Sequence, residues 1–344
     1  MADLLRSTIA GALFGAALTV SGVYLPTTIT SQMQLQDFTM LKVFLTASSA
    51  SALVISLYER LMQRPLSRRP PSSIGWLGPY DGNIIGGAMV GAGMTLTGAC
   101  PGTVLVQVGT GISSGRYALL GGIIGGVLYA TVAPALGRHS GAPCAVTSGK
   151  ADNSLPGKLD ISPGTATLAF QAMCVPLIVA FRYLAPGHAH AAVDPVVGGF
   201  LIGLAQLISL LMTKAPVGVS TGYEDIGRWV RVFINGSANA ERLRSGEQKP
   251  ALPLTKSVCF GFGILASSFL VSLMVPDIVR VDALPIAPLR GLLGGLVMVF
   301  GARVAGGCTS GHGISGMSML GTSSIITVAS MFAAGIGFAF ALRA

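Results

Sequence analysis

Apolar residues run through this chain in nine long blocks, and the polar and charged residues gather between them. The blocks fall at about 4–25, 38–62, 83–98, 117–136, 165–185, 195–212, 254–275, 286–304 and 322–342. At 1.5 Å per residue, an α-helix of roughly 20 residues spans the ~30 Å apolar core of a bilayer. The pattern therefore predicts an all-α polytopic membrane protein with about nine transmembrane helices. Between the first two blocks, Pro26 opens a weakly polar stretch to Asp37, too short for a domain and expected to be re-entrant. The first block, with Arg6 near its start, has the outline of a signal peptide. Its Gly11-Ala12-Leu13-Phe14-Gly15 packing face recurs later in the chain, so it is expected to be a retained helix.

Two of the blocks end in the same way. The third closes on Gly86-Gly87-x5-Gly93-x4-Gly98-Ala99-Cys100-Pro101-Gly102 and the eighth on Gly294-Gly295-x5-Gly301-x4-Gly306-Gly307-Cys308-Thr309-Ser310-Gly311. A shift of 208 residues superposes them, and a shift of 188 lays Gly11, Leu13, Gly15, Ala17 and Ser21 on Gly199, Leu201, Gly203, Ala205 and Ser209. Each Gly-x-Cys reads as a membrane helix that stops inside the bilayer and gives way to a short broken segment. Non-helical backbone at that depth persists only where it is buried in protein or lines a cavity. Matched breaks in two halves of a chain point to a transporter's binding site. The expected organisation is a first repeat at 1–163, a linker helix within 164–194 and a second repeat at 195–344. A single linker helix between two four-helix halves makes the repeats inverted, because the second starts from the opposite side of the membrane.

Composition removes the alternatives. With 51% hydrophobic and 10% charged residues and a mean hydropathy of +0.69, the chain is neither a soluble globular domain nor disordered. Its 47 glycines lack a Gly-X-Y period and instead suit closely packed membrane helices. The net charge of +9 resides in loops, which points to positive-inside topology rather than to nucleic acid. With a cytoplasmic N-terminus, 15 of the 22 Lys and Arg residues fall on the inside and six outside, and Arg303 lies within the membrane. The inside set includes Arg60, Arg64, Arg68 and Arg69 of one basic, proline-broken loop, and seven residues of 214–256. The expected C-terminus is therefore external. The 137–163 loop reads as an exposed connector, and the first part of the highly charged 223–250 segment as an interfacial helix.

The candidate chemistry centres on Cys100 and Cys308. Cys144, Cys174 and Cys259 have no repeat partner and read as small packing hydrophobes. Five cysteines without a C-x-x-C spacing point to neither a metal site nor a disulfide scaffold, and no cofactor is expected. A neutral thiol offers a weak S–H donor and a polarizable contact for another sulfur. The amides that open the following segment carry partial positive charge and favour an anion. A sulfur-bearing anion suits both. Gly98, Pro101 and Gly102 flank Cys100, and Gly306, Gly307, Thr309, Ser310 and Gly311 flank Cys308, which completes the two breaks. Arg303 sits in an apolar helix where an arginine is costly; its counterpart is Thr95, and its two readings are anion attraction and hydrogen bonding to carbonyls. His312 reads either as a ligand or proton relay, or as a capping and packing residue. Ser21 and Ser209 are candidates to face the pathway. Lys214, Glu224 and Asp225 are expected at the membrane surface.

The stretches Gly93–Gly102 and Gly301–Gly313 resemble the two signature motifs of the YeeE/YedE sulfur-transport family. Gly11–Gly15 with Ser21-Gly22 and Pro26 is similar to that family's N-terminal segment. The likeness covers nearly the whole chain, as though two half-size members were fused, and is weak in the 137–163 and 223–250 loops. It implies thiosulfate uptake through an hourglass-shaped protein, with cysteines passing the anion along by S–H contacts; by motif, that role falls to Cys100 and Cys308. Where some members carry a further cysteine near the start of the chain, this sequence has Ser21, so a relay of three thiols is not implied. The expected partners are a small sulfur-containing anion and the lipid bilayer, with a cytoplasmic sulfur-accepting protein as a further candidate. The sequence holds no G-x-x-x-x-G-K-[ST] motif, which argues against ATP-driven transport by this chain alone. A membrane-embedded sulfurtransferase using a cysteine persulfide is the competing reading. It requires an activated thiolate, for which only Arg303 and His312 are at hand, and only in one half. The duplicated placement favours a transporter over an enzyme, and matched cysteines are not what a non-selective pore requires.

Overall fold

A computed structural model describes residues 1–63, 65–139, 154–185, 192–234, 254–276 and 286–342. The described elements are α1 (Ala2–Val20), α2 (Pro26–Met33), α3 (Thr39–Met62), α4 (Asp81–Thr97), α5 (Pro101–Gly109), α6 (Ser113–His139) and α7 (Leu155–Leu159). They continue with α8 (Pro163–Leu184), α9 (Pro195–Thr213), α10 (Ser220–Ile234), α11 (Lys256–Met274), α12 (Pro288–Val304), a π-helical segment π1 (Thr309–Gly316) and α13 (Thr322–Ala341). Among the described residues there is no strand, only an isolated bridge between Ser154 and Gly321. Among the described residues, eight helical stretches are long and apolar enough to cross a membrane, counting α4 with α5 as one, and the bent pair α12–π1 makes nine. The nine apolar blocks thus correspond to nine spans of an all-α polytopic membrane protein.

The matched glycines explain how the spans pack. Gly86 approaches the carbonyl of Gly301, and Gly301 that of Gly86. Gly93 approaches Gly294, and Gly294 meets Leu96, Thr97 and the carbonyl of Gly93. One index rises as the other falls, so α4 and α12, the two members of the 208-residue repeat, cross antiparallel. Gly11 and Gly15 of α1 press against the backbone of Phe260 and Ile264 in α11. Their partners Gly199 and Gly203 of α9 press in the same manner against Val43, Thr46, Ala47 and Ala50 in α3. Likewise α12 packs on α6 as α13 packs on α4, and α5 meets α11 as π1 meets α3. Lipid supplies no hydrophobic drive between helices, so close backbone approach at small residues is what holds such a bundle.

Ion pairs and hydrogen bonds sort the connections. Lys256 Nζ reaches Asp3 at 2.9 Å, and Lys158 Nζ donates to Tyr80 Oη at 2.8 Å. Lys42 Nζ donates to the Ala185 carbonyl at 2.5 Å, and Arg182 pairs with Asp194 at 3.0 Å. Each contact joins segments that the charge pattern assigns to the same side of the membrane.

Two expectations change. The helix expected at the start of the charged segment begins among buried residues. The amphipathic α10 starts deep in the protein, where Tyr223 Oη donates to the Pro101 carbonyl at 2.8 Å and Gly126 and Gly227 let α6 and α10 touch backbone to backbone. Amphipathicity reports that a helix has two faces but not at what depth it lies. Glu224, expected at the surface, is buried as a consequence. The second change is the 65–80 strap. It does not stand free as a basic loop but lies over the second break, with Ser72 Oγ donating to the Val304 carbonyl at 2.5 Å and Arg68 Nε to that of Met319 at 3.2 Å. Cys144 and the rest of 140–153, and the 235–253 part of the charged segment, lie outside the described residues.

Candidate functional site

The first break is a short joint with its own cap. Gly98 ends α4 in the left-handed region at φ 56°, where a Cβ would sit 2.8 Å from that of Pro26. Cys100 is the N-cap of α5 and Pro101 its first residue, a position where a missing N–H costs nothing and φ is already helical. The Cys100 N–H donates to Thr103 Oγ1 at 2.7 Å, and the Thr103 N–H donates back to Cys100 Sγ at 3.4 Å, closing a capping box. Gly102 has ordinary contact distances on all sides, the nearest being Val219 at 3.6 Å. Gln107, one turn further on, donates to the carbonyls of Tyr24 at 2.8 Å and Gly98 at 2.9 Å, which ties the break to the loop after α1.

The second break is bent by 47° and held from outside. Gly306 takes φ 79°. Cys308 is fully buried and stands as the N-cap of π1. Its Sγ lies 3.2 Å from Ser310 Oγ, and the amides of Gly311 and Val219 and the hydroxyl of Ser220 reach the same sulfur. Thr309 Oγ1 donates toward the sulfurs of Met94 and Met331 at 3.5 and 3.4 Å. His312 is fully buried and doubly bonded: Nε2–H donates to the Ala305 carbonyl at 3.0 Å, so Nδ1 accepts from Ser324 Oγ at 2.9 Å. The carbonyl has no proton to give, and that fixes the tautomer. Of the two sequence readings of His312, the contacts are those of a capping residue. From the strap, Arg69 Nη1 donates to the Gly306 carbonyl at 2.5 Å and Nε to that of Gly311 at 3.2 Å.

Both cysteines therefore stand where a short helix begins, at the positive end of its backbone dipole. Two further segments start nearby, α2 at Pro26 against Gly98 and α10 at Ser220 beside Cys308. Cys100, Gly102, Thr103, Thr309 and Ser310 line one cavity of about 40 Å³. That is room for more than one water. The remaining wall is apolar and includes Phe14, Phe44, Met40 and Ile314.

Arg303 and Ser21 are placed differently from their neighbours in the motif. Arg303 forms an ion pair with Glu224, which also pairs with Arg228, and its guanidinium lies 5.8 Å from the Tyr129 ring centre. Its Nη1 also donates to Ser220 Oγ at 3.4 Å. Its principal partner is thus a carboxylate, which neither sequence reading contained. Ser21 donates to the Leu18 carbonyl at 2.9 Å and packs against Gly198, and Ser209 donates to the Ala215 carbonyl at 3.0 Å. Both serines are buried, and neither lines the cavity. Cys174 and Cys259 are buried within helices away from the breaks. Sequence reasoning missed Arg69, Glu224, Thr103 and Gln107. Only Thr103 carried a local signal, its spacing of three from an N-cap.

Known proteins resemble the chain over much of its length. The thiosulfate transporter TsuA of Spirochaeta thermophila is 26% identical over 289 residues, which are 79% of this chain and 80% of that protein. A probable transporter of Xylella fastidiosa is 28% identical over 148 residues, 42% of this chain and 90% of that protein. The second relative is about the size of one half. The family described as "Sulphur transport" matches residues 20–337, and this multi-pass integral membrane protein belongs to it as a transporter.

Proposed function

We propose that the protein carries thiosulfate, or a related small sulfur-containing anion, through the cavity between the two breaks, with Cys100 and Cys308 as successive contacts. One observation carries this reading. Cys100 and Ser310 face the same cavity, and Ser310 Oγ is 3.2 Å from Cys308 Sγ. The two sulfurs thus follow one another along a single polar line in an apolar wall. The amides opening α5 and π1 stabilise negative charge beside each thiol, and the soft sulfurs meet the sulfur end of the cargo. Each contact is individually weak, as a pathway needs if cargo is to leave as well as enter. The likeness to the thiosulfate transporter supports the choice of anion.

The repeats that build this pathway are 1–163 and 195–344, with α8 as the linker, a division supported by the reciprocal glycine contacts. The N-terminus is cytoplasmic and the C-terminus external, on the strength of the loop charge bias. A sulfur-accepting protein on the cytoplasmic side is a fitting recipient of the cargo.

Uptake of radiolabelled thiosulfate into proteoliposomes tests the reading. Cys100→Ser and Cys308→Ser each lower uptake by up to about tenfold, the effect of changing one hydrogen bond by ~1 kcal/mol at a narrow site. Cys174→Ser and Cys259→Ser leave it unchanged. Wild-type uptake by the Cys100→Ser, Cys308→Ser double variant overturns the proposal, and a persulfide trapped on Cys308 by mass spectrometry points to sulfur transfer instead.

A further inference from the structure

Two arginines approach the second break, and they are in opposite electrostatic situations. Arg303 lies against Glu224, so its charge is already answered. Arg69 meets no carboxylate among the described residues. It is anchored on the strap, where its own carbonyl accepts from Ser323 Oγ at 2.8 Å. From there the guanidinium reaches across the break, one nitrogen on the Gly306 carbonyl and another on that of Gly311. It lies close against two glycines: a Cβ on Gly307 would lie 3.0 Å from Nη1, and one on Gly311 2.8 Å from Nη2. Nη2 also faces Gly218, whose Cβ position is 3.4 Å away, and it makes no hydrogen bond among the described residues. The two carbonyls that Arg69 caps, of Gly306 and Gly311, stand on either side of Cys308 in the chain.

We infer that Arg69 binds the transported anion, forming a cationic station beside Cys308 on the side of the membrane where the 65–80 strap lies. The inference rests on the pathway proposed above. A largely enclosed guanidinium with no counter-charge is costly, and an anion is its natural complement. A guanidinium presents its donors in a planar fork that matches oxyanions. Here two nitrogens are committed to carbonyls, so Nη2 offers the remaining N–H groups to the oxygen end of a sulfur oxyanion while Cys308 meets the sulfur end. The carbonyl contacts fix the fork in place, and the partial commitment keeps binding loose enough for release. No charged side chain lines the cavity shared by Cys100 and Ser310, and Arg69 lies outside its wall on the Cys308 side, so the two ends of the line differ: a thiol and amides at one, a guanidinium at the other.

The alternative is that Arg69 only fastens the strap by capping two carbonyls. Two measurements separate these roles. In the wild-type protein, thiosulfate should slow modification of Arg69 by phenylglyoxal, read by mass spectrometry, and leave Arg68 unaffected. In proteoliposomes, Arg69→Gln should raise the half-saturating thiosulfate concentration at least about tenfold, the loss of one charge-assisted contact. Arg69→Lys, which restores the charge without the fork, should recover part of that loss, and Arg68→Gln should stay within about twofold of wild type. Unprotected Arg69, or wild-type half-saturation in Arg69→Gln, overturns the station. The protection experiment decides the matter even if Arg69→Gln does not fold. If Cys100→Ser and Cys308→Ser lose uptake while Arg69 stays unprotected, the cysteine pathway stands and only this inference fails. If the cysteine variants transport normally, the pathway itself fails.

Discussion

The first break is closed at its cysteine by neighbouring residues, whereas the second is also braced by segments distant in the chain. Around Cys100 the thiol and its amide are held locally by Thr103, which closes the capping box, and Gln107 reaches back to Gly98; the longer ties are those of Gln107 to Tyr24 and of Tyr223 to Pro101. Around Cys308 they come from the 65–80 strap, from α10 and from α13: Arg69 on Gly306 and Gly311, Ser220 at the thiol, Ser324 on His312. The residue after each cysteine explains part of the difference. Pro101 presets the helical φ and starts an ordinary α-helix. Thr309 does not, and Thr309-Ser310-Gly311-His312-Gly313 winds instead into the wider π1. π-Helical turns are uncommon and concentrate at functional sites. The two matched motifs thus share their cysteine and glycines and differ in what holds them. The first joint carries its own cap, and the second is tied to the strap and to α10.

That contrast yields predictions for stability, measured by SDS titration in mixed micelles. The largest effect is expected at Glu224→Gln, which leaves Arg303 charged and unpaired, 14% exposed, beside the second break. Breaking one side of such a pair costs about 4 kcal/mol, and combining it with Arg303→Met should recover much of the loss. A Glu224→Gln protein as stable as wild type contradicts the assignment of this ion pair as a support.

Next come the two residues that cap the breaks. His312→Leu strands the Ala305 carbonyl and the Ser324 hydroxyl, both buried, at about 3 kcal/mol. Thr103→Val removes the side chain from the capping box of α5 and should cost only about 1 kcal/mol. Equal losses in the two variants erase the distinction between a distant and a local joint.

Two glycines sharpen the comparison further. Gly98 and Gly306 both have positive φ, but only Gly98 is crowded by Pro26, whereas a Cβ on Gly306 meets nothing within 4 Å. Gly98→Ala should cost about 2 kcal/mol and Gly306→Ala about 1 kcal/mol, the bare left-handed penalty. A reversed order means that the first break can relax where the second cannot.

The sequence by itself determined the spans, the two breaks and the packing glycines. Hydropathy sums over neighbours, and a membrane helix must satisfy its own backbone within about 20 residues. Gly-x-Cys at a matched spacing marks where that fails. Gly86, Gly93, Gly294 and Gly301 could be read from the repeat because backbone approach requires glycine whatever the partner. Arg69 could not. It was one of four arginines in a basic loop, and its partners Gly306 and Gly311 lie 237 and 242 residues away. Glu224 looked like a surface residue for the same reason, since its partner Arg303 belongs to another helix of the bundle. Charge and amphipathicity are local properties of a segment, but burial depth and pairing exist only once helices have packed. Only the tertiary structure could decide which arginine was answered by a carboxylate and which was left facing the break.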